Sequence, residues 1–190
     1  MRKVRRVRYT LDDKGIKPLP HEEIVAILRG ADDLIMRGGR NLLAKILKGS
    51  REKKVLELKL NKSPVYGYYK HLTLDQILAR IDWVILKGYL DLEYDYRLPL
   101  LVYTKKGWEI EKDIYSDELL VGFDKMLESG AASFNMLYLK DKDRQLILML
   151  LDKVEASGNR RYIPLLEAWM KVDYKKVRKR IRQVINNLTN

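Results

Sequence analysis

Residues 48–54 form a dense group of polar and cationic side chains whose natural chemistry is anion binding. The segment reads Lys-Gly-Ser-Arg-Glu-Lys-Lys, so four basic side chains surround one Gly-Ser pair. Ser50 can serve as the N-cap of a short helix in which Val55, Leu56 and Leu58 face the core. The free N–H groups at such a helix start favour an anion. The sequence therefore predicts an anion site formed by Lys48, Ser50, Arg51, Lys53 and Lys54.

Other kinds of chemistry find little support among the 190 residues. Cysteine is absent and only His21 and His71 are present, with a spacing that does not suggest a metal site. Close carboxylate pairs stand where helix caps and turns commonly place acids. No Ser–His–Asp arrangement and no GxxxxGK[ST] phosphate loop occurs. We therefore predict no catalytic centre, no metal and no cofactor, and an enzyme acting on nucleic acid through an unrecognised carboxylate site stays a minor alternative.

The charge of the chain is strongly positive and unevenly distributed. Net charge is +12, from 38 basic and 26 acidic residues. Residues 1–8 hold five basic side chains and no acidic one. Residues 171–182 hold seven basic side chains and one acidic side chain. Residues 39–107 hold fourteen basic and seven acidic side chains. Residues 109–128, in contrast, hold two basic and seven acidic side chains. Three separate basic blocks indicate a polyanionic partner.

The hydropathy of the chain indicates where in the cell the protein resides. Hydrophobic residues make up 46% of the chain, as in ordinary globular proteins, and no apolar run is long enough to span a bilayer. The basic N-terminus lacks the apolar stretch of a signal peptide. We expect no membrane association and a cytoplasmic location.

The elements that must position residues 48–54 follow from helical spacing and turn signals. Pro20 opens a helix that Gly38 and Gly39 end, and a second short helix ends at Gly49. After the third helix at Ser50, Thr73 and Gln76 form a capping box for a fourth.

A small β-hairpin is predicted next. Residues 89–94 alternate as a half-buried strand, residues 95–99 turn the chain, and residues 100–104 return as a second strand. The segment Lys105–Trp108 is predicted to close the unit with a turn. Helices followed by this hairpin indicate a winged helix-turn-helix, so the fold class is mostly α with a small β-wing.

The C-terminal third is predicted to be helical. An acidic helix lies within residues 115–136 and ends at Gly130, and three helices follow from Asp143. Residues 143–188 resemble a HEAT-type helical hairpin, and residues 161–169 and 173–178 carry the likeness. The last helix has an apolar stripe and an opposite basic face formed by Lys175, Lys179 and Arg182. That face is either a contact for a nucleic-acid backbone or only a solvated surface.

Residues 39–108 resemble the RQC domain, the winged helix that follows the motor of RecQ-type helicases. The likeness is strongest to small stand-alone bacterial proteins of the RQC-minor type. It is carried by Leu47–Ser50, Lys53–Leu58, Tyr66–Lys70 and the Thr104–Gly107 turn.

The resemblance implies particular contacts. The Gly-Ser turn and its basic neighbours would bind duplex phosphates, with Lys70 as a second phosphate contact. An aromatic residue at the wing tip would stack on a terminal base pair, and Tyr96, beside Arg97, holds that position. The alternative for Tyr96 is a surface turn residue packed on its own hairpin.

The chain departs from the helicase pattern, and these departures limit which properties of the helicases the resemblance implies. No phosphate loop and no cysteine-rich zinc module occurs in these residues, so the resemblance implies DNA binding without strand unwinding. Asp95 also places a negative charge beside Tyr96, against the strand-separation hypothesis.

Together these observations predict a non-catalytic, nucleoid-associated DNA-binding protein with weak sequence preference. Its partner would be duplex DNA, with duplex ends, forks or junctions as candidate targets. The predicted domains are a basic arm (1–19), an RQC-like winged helix (20–114) and an acidic helix with a HEAT-like hairpin (115–190). The alternatives are a sequence-specific transcription regulator, and an adaptor that binds a protein partner through its C-terminal helices.

Overall fold

The computed structural model describes residues 5–190, which form two compact units. The first unit extends to Glu111 and the second begins at Lys112, so the boundary lies inside one helix. The helices are α1 (His21–Asp32), α2 (Arg40–Lys48), α3 (Lys53–Glu57), α4 (Leu74–Leu86), α5 (Lys105–Glu128), α6 (Arg144–Ala156), α7 (Ile163–Val172) and α8 (Lys175–Thr189). The strands are β1 (Leu90–Asp95) and β2 (Leu98–Tyr103).

The core of the first unit is formed by the apolar faces of α1, α2 and α4. The apolar face of α1 is buried, with Ile27 and Leu28 fully enclosed. The prediction that this helix continues to Gly38 and Gly39 was wrong, because it ends at Asp32. Ile46 and Leu47 of α2 and Ile81 of α4 join the same cluster. The predicted mostly helical fold with a small wing is confirmed, because these helices precede a single antiparallel hairpin.

The start of α4 confirms the predicted capping box. The Thr73 hydroxyl accepts a hydrogen bond from the Gln76 backbone N–H at 3.3 Å, and the Gln76 side chain accepts from the Thr73 N–H at 2.9 Å. Two N–H groups that the helix leaves without a partner are thereby satisfied. The position of α4 is therefore set by local sequence as well as by packing.

The wing is longer and its turn tighter than the sequence indicates. Leu90 pairs with Tyr103 and Asp95 with Leu98, so only Tyr96 and Arg97 form the turn. The prediction of a turn over residues 95–99 was wrong, because Pro99 lies within β2, opposite Tyr94.

The predicted closing turn at residues 105–108 was also wrong, since these residues open α5. The Thr104 hydroxyl accepts a hydrogen bond from the Gly107 N–H at 3.1 Å, as an N-cap residue does. The helix predicted within residues 115–136 is the C-terminal part of this longer element, which ends at Glu128.

The described part of the N-terminal arm, residues 5–19, forms no helix or strand but lies along the first unit. Residues 1–4 of the predicted arm lie outside the described residues. The Val7 N–H donates to the Arg97 carbonyl at 2.9 Å, and the Tyr94 hydroxyl donates to the Val7 carbonyl at 2.7 Å. The arm is therefore bonded to the wing.

A second attachment holds the arm to α4. The Asp12 N–H donates to a carboxylate oxygen of Asp82 at 2.9 Å, and Asp82 also accepts from the Arg40 guanidinium. Asp82 is only 3% exposed, and its charge is balanced by the ion pair with Arg40. One buried carboxylate thus connects the arm, α2 and α4.

The second unit is built on the predicted C-terminal helices. Helices α6 and α7 pack against α8, whose buried stripe is Val177, Ile181, Val184 and Leu188. Trp169 is fully buried, with its ring edge-on to Phe123 at 6.0 Å between centroids. Within the described residues, no helix combines the length and the apolar character needed to cross a bilayer.

Candidate nucleic-acid interface

The Gly-Ser turn after α2 lies against the loop 66–70. The backbone N–H groups of Gly67 and Tyr69 donate to the carbonyls of Ile46 and Leu47 at 2.9 and 2.8 Å. These carbonyls stand near the C-terminal end of α2. Two segments that are far apart in the sequence pattern are therefore joined into one surface, which we call the phosphate turn (residues 48–54 and 66–70).

Side chains reinforce the phosphate turn. The Tyr66 hydroxyl donates to the Ser50 carbonyl at 3.0 Å. The Lys48 ammonium donates to the carbonyls of Lys70 and Leu72 at 2.7 and 2.6 Å. Lys48 was predicted as a phosphate contact. In the structure, two of its three N–H donors bind carbonyls of the loop.

Gly49 allows the two segments to approach closely. Its φ of +77° lies in the left-handed region, and a Cβ at this position would stand 3.1 Å from the Gly67 Cα. Any side chain would therefore strain the backbone and push against the neighbouring loop.

The N-cap predicted at Ser50 was wrong. Helix α3 begins at Lys53 after Glu52, and the Ser50 hydroxyl accepts a hydrogen bond from the Glu52 N–H at 3.2 Å. The serine thus forms a local turn ahead of the helix. The Glu52 carboxylate accepts from Lys45 at 2.6 Å. A five-residue helix preceded by a carboxylate offers no anion site of its own, so the cationic side chains carry the argument for phosphate.

The prediction that Leu56 and Leu58 face the core was also wrong, since they are 45% and 53% exposed. Only Val55 of this set is buried. The early end of α3 at Glu57 explains the difference, because the helical spacing on which the prediction rests does not continue to Leu58.

The basic side chains of the phosphate turn are exposed, except for half-buried Lys48. Lys53 forms an ion pair with Glu57 at 3.6 Å, and both partners are open to solvent. Within residues 5–190, Arg51, Lys54 and Lys70 form no ion pair. Three uncompensated cations on adjoining segments produce a locally positive surface.

The tyrosines of the loop differ in exposure, and only Tyr68 of the three is exposed. Tyr69 is buried and its hydroxyl donates to Glu23 at 2.5 Å. Burial and the nearby carboxylates of Glu23 and Glu22 raise the pKa of Tyr68. The Glu23 carboxylate is also paired with the Arg80 guanidinium at 3.1 Å.

The tip of the wing presents Tyr96 to solvent. This side chain is 71% exposed, and its φ of +50° is unusual for a bulky residue. The Arg97 Nε donates to the Arg5 carbonyl at 3.1 Å. Among the described residues, no hydrogen bond or ion pair joins the tip to the phosphate turn.

The basic face of α8 belongs to the second unit. Lys175, Lys179 and Arg182 are exposed, opposite the buried stripe. Arg180 lies differently, because its guanidinium donates to Asp152 at 2.7 Å and Glu155 at 2.5 Å on α6. It therefore holds two helices together.

Sequence reasoning missed a second group of cations, formed by Arg8, Arg37 and Arg40, which line a cavity together with Lys54. The only signals were the basic arm and the Gly-Gly-Arg run at residues 38–40. Within residues 5–190, no group of three acidic or histidine side chains is arranged to hold a metal ion.

The helices α2–α4 followed by the hairpin define a winged helix. The family model of the RQC domain matches residues 21–118, just over half of the chain. The chain therefore belongs to the RQC family, as the sequence motifs predict. Membership of this family supports a DNA-binding role in general.

A curated relative is the ATP-dependent DNA helicase RecQ of Bacillus subtilis (strain 168), which is 29% identical over 99 residues. The match covers 52% of this chain and 16% of the helicase. The chain thus spans about one sixth of the relative that it matches. No solved structure shows a significant match.

Proposed function

We propose that the chain is a non-catalytic DNA-binding protein that binds duplex phosphates through the phosphate turn. The observation that carries the proposal is the bonding of loop 66–70 to the end of α2. This bonding supports the proposal because it joins the segment that carries Arg51 and Lys54 to the loop that carries Lys70. A preformed surface loses little conformational entropy on binding.

The chemistry of these contacts predicts weak sequence preference. Arg51, Lys53, Lys54 and Lys70 are suited to phosphate oxygens, and the Ser50 hydroxyl adds a neutral donor. Phosphate contacts position a protein on a duplex but do not distinguish one base pair from another.

Tyr96 supports a preference for duplex ends, forks or junctions. An exposed ring in a left-handed backbone conformation costs about 1–2 kcal/mol relative to an ordinary conformation. Such strain is typical of positions kept for function. We propose that the ring stacks on a terminal base pair, with Arg97 beside it contacting the backbone.

The exposed face of α8 supports a further backbone contact through Lys175, Lys179 and Arg182. A protein that binds DNA in this way would reside in the cytoplasm at the nucleoid. ATP-driven unwinding, which the name of the RecQ relative implies for that protein, does not extend to these residues, because they contain no GxxxxGK[ST] motif.

Equilibrium binding of the full chain to labelled blunt duplex, fork, single strand and RNA tests the proposal. We expect the duplex and the fork to bind, with affinity that falls steeply as salt rises. The variant Arg51→Glu/Lys70→Glu should lose at least about tenfold in duplex affinity, because each reversal replaces attraction with repulsion. The matched control Lys17→Glu/Lys125→Glu changes net charge equally at exposed positions outside the phosphate turn.

Three outcomes would contradict the proposal. Equal losses in the two variants would show that net charge alone matters. Selection of one palindromic motif from random duplexes would indicate a sequence-specific regulator. Undetectable or salt-independent binding would favour the protein adaptor.

A further inference from the structure

A cavity of about 550 Å³ opens on the first unit between the arm, the start of α2 and the wing. Residues 7–10 form one wall, residues 37–42 form another, and residues 98–100 of β2 form a third. A volume of this order accommodates ligands of nucleotide size. The two walls from the arm and the α1–α2 turn were not anticipated from the sequence.

The lining of this cavity is cationic. Among the described residues that line it, none is acidic and five are basic: Arg8, Arg37, Arg40, Lys45 and Lys54. Arg40 is paired with Asp82 and Lys45 with Glu52. Within residues 5–190, the other three basic side chains form no ion pair. Three uncompensated cations around one cavity favour an anionic ligand.

The cavity also offers a surface for a base. Half-buried Tyr9 is among the residues that line it, together with the apolar residues Leu42, Leu92 and Leu98. Tyr9 lies 6.0 Å from Tyr94 between ring centroids, so its ring is supported from the wing. Cations beside a supported aromatic ring are the combination that single-stranded nucleic acid requires.

The positive surface extends beyond one nucleotide. Arg8 also lines an adjoining concavity formed by Arg5, Arg6 and Arg97 on the arm and the wing tip. A continuous series of cations therefore extends from Lys54 at one end to Arg97 at the other. A free nucleotide would leave most of this series unused, whereas a strand would follow it.

We propose that this cavity binds an unpaired nucleic-acid strand, with a phosphate among Arg8, Arg37 and Lys54 and a base against Tyr9. The arm that forms one wall lies outside the residues matched by the family model. The site goes beyond the proposed duplex contact, with which it shares Lys54 and Arg97, while Arg8, Arg37 and Tyr9 belong to it alone.

Binding of the full chain to labelled oligothymidylate tests the proposal. We expect Arg8→Glu/Arg37→Glu to weaken single-strand binding at least about tenfold and duplex binding less than about threefold. Conversely, Arg51→Glu/Lys70→Glu should weaken duplex binding and leave single-strand binding within about threefold. The Lys17→Glu/Lys125→Glu control should change neither by more than about threefold.

Two changes of ligand test the base and the strand without altering the protein. An abasic strand of equal length should bind at least about fivefold more weakly than oligothymidylate, because stacking of a base on an aromatic ring is lost. Thymidine monophosphate should compete far less well than the strand at equal nucleotide concentration.

The proposal is overturned if Arg8→Glu/Arg37→Glu binds the strand as the unaltered protein does, or loses strand and duplex binding equally. It is also overturned if the abasic strand binds as well as the intact one, or if the monophosphate competes equally. The proposed duplex function is tested separately. If Arg51→Glu/Lys70→Glu loses duplex binding, that function is supported even when one of these results rules out the strand site.

Discussion

Gly49 shows how a single missing side chain shapes the phosphate turn. The left-handed backbone at this glycine ends α2, and the adjacent loop approaches so closely that Gly67 is its neighbour. Gly67 itself has a φ of +75°. The sequence motifs Leu-Lys-Gly-Ser and Tyr-Gly-Tyr-Tyr-Lys therefore each contain the glycine that their mutual contact requires.

We predict that Gly49→Ala lowers the free energy of unfolding by about 2 kcal/mol, from left-handed strain plus the contact with the loop. Gly88→Ala is the matched control, because Gly88 has a φ of +71° but nothing lies within 4 Å of the position that an alanine Cβ would take. It should cost only about 1 kcal/mol, through strain alone. Urea denaturation measures both, and equal costs would show that the contact with the loop contributes nothing.

Tyr96 allows a separation of strain from function. Asparagine tolerates a left-handed conformation better than tyrosine, so Tyr96→Asn should preserve or slightly raise the stability of the protein. If the ring stacks on a terminal base pair, this variant should lose at least about fivefold in affinity for a blunt duplex. Affinity for a duplex closed by loops at both ends should change little, and an equal loss on both ligands would contradict stacking.

The error at Ser50 has a local physical cause. Serine is a strongly preferred N-cap residue and glutamate is not, so propensity alone favours Ser50. In the structure the Ser50 hydroxyl bonds to the Glu52 N–H, and Lys45 holds the Glu52 carboxylate from the preceding helix. The choice therefore depends on a contact with α2 that the local pattern does not contain.

Among the elements, α5 shows why a glycine can mislead. Gly107 indicates a turn by propensity, yet a Cβ there would stand 1.9 Å from the Tyr89 carbonyl oxygen. The glycine is present because the helix passes close to the start of the wing. Thr104, which caps α5, was the available signal for a helix start.

The ion pairs between α6 and α8 make the second unit sensitive to acid. Hydrogen bonds from Arg180 and Asn187 hold the pKa of Glu155 below its usual value. Because the folded-state pKa is lowered, this contribution to stability is present at neutral pH. It is lost as the pH falls through the lowered folded-state pKa of Glu155.

We therefore predict that Glu155→Gln lowers the Tm by a few degrees at neutral pH, since a partly exposed ion pair contributes up to about 1 kcal/mol. The difference from the unaltered protein should close as the pH falls through the lowered folded-state pKa of Glu155. Thermal melting followed by circular dichroism across this range measures it. Glu167→Gln, at an exposed position on α7, is the control, and a gap that persists in acid would contradict the prediction.

For the whole molecule, the number of phosphate contacts can be obtained from the way DNA affinity depends on salt concentration. Each contact contributes about −0.9 to the slope of log K against log salt. If α8 contacts the backbone, Lys175→Gln/Lys179→Gln/Arg182→Gln should make the slope shallower by about 2–3. Titrations on duplex DNA at several salt concentrations measure this, with Lys17→Gln/Lys125→Gln as the control. An unchanged slope in the triple variant would mean that α8 is only a solvated face.

Features of this protein could be predicted from the sequence where they depend on neighbouring residues, and could not where they depend on residues far apart in the chain. The capping box at Thr73 and the apolar stripes of α1 and α8 were predictable, because they depend on residues within one or two turns. The arm was predicted only as a basic segment. Its bonds to Asp82 and Arg97 join residues 70 or more positions apart, and no local pattern encodes such pairs.

The position of Asp82 bears on how the protein should be cut or tagged. A fragment trimmed to the family limits at residue 21 would lack Asp12, whose N–H donates to this buried carboxylate, and would open one wall of the cationic cavity. Such a fragment should retain α1–α4 and the wing while losing contacts that the family match does not include. An affinity tag is therefore better placed after Asn190 than ahead of the arm, where its added residues would compete for the same surface.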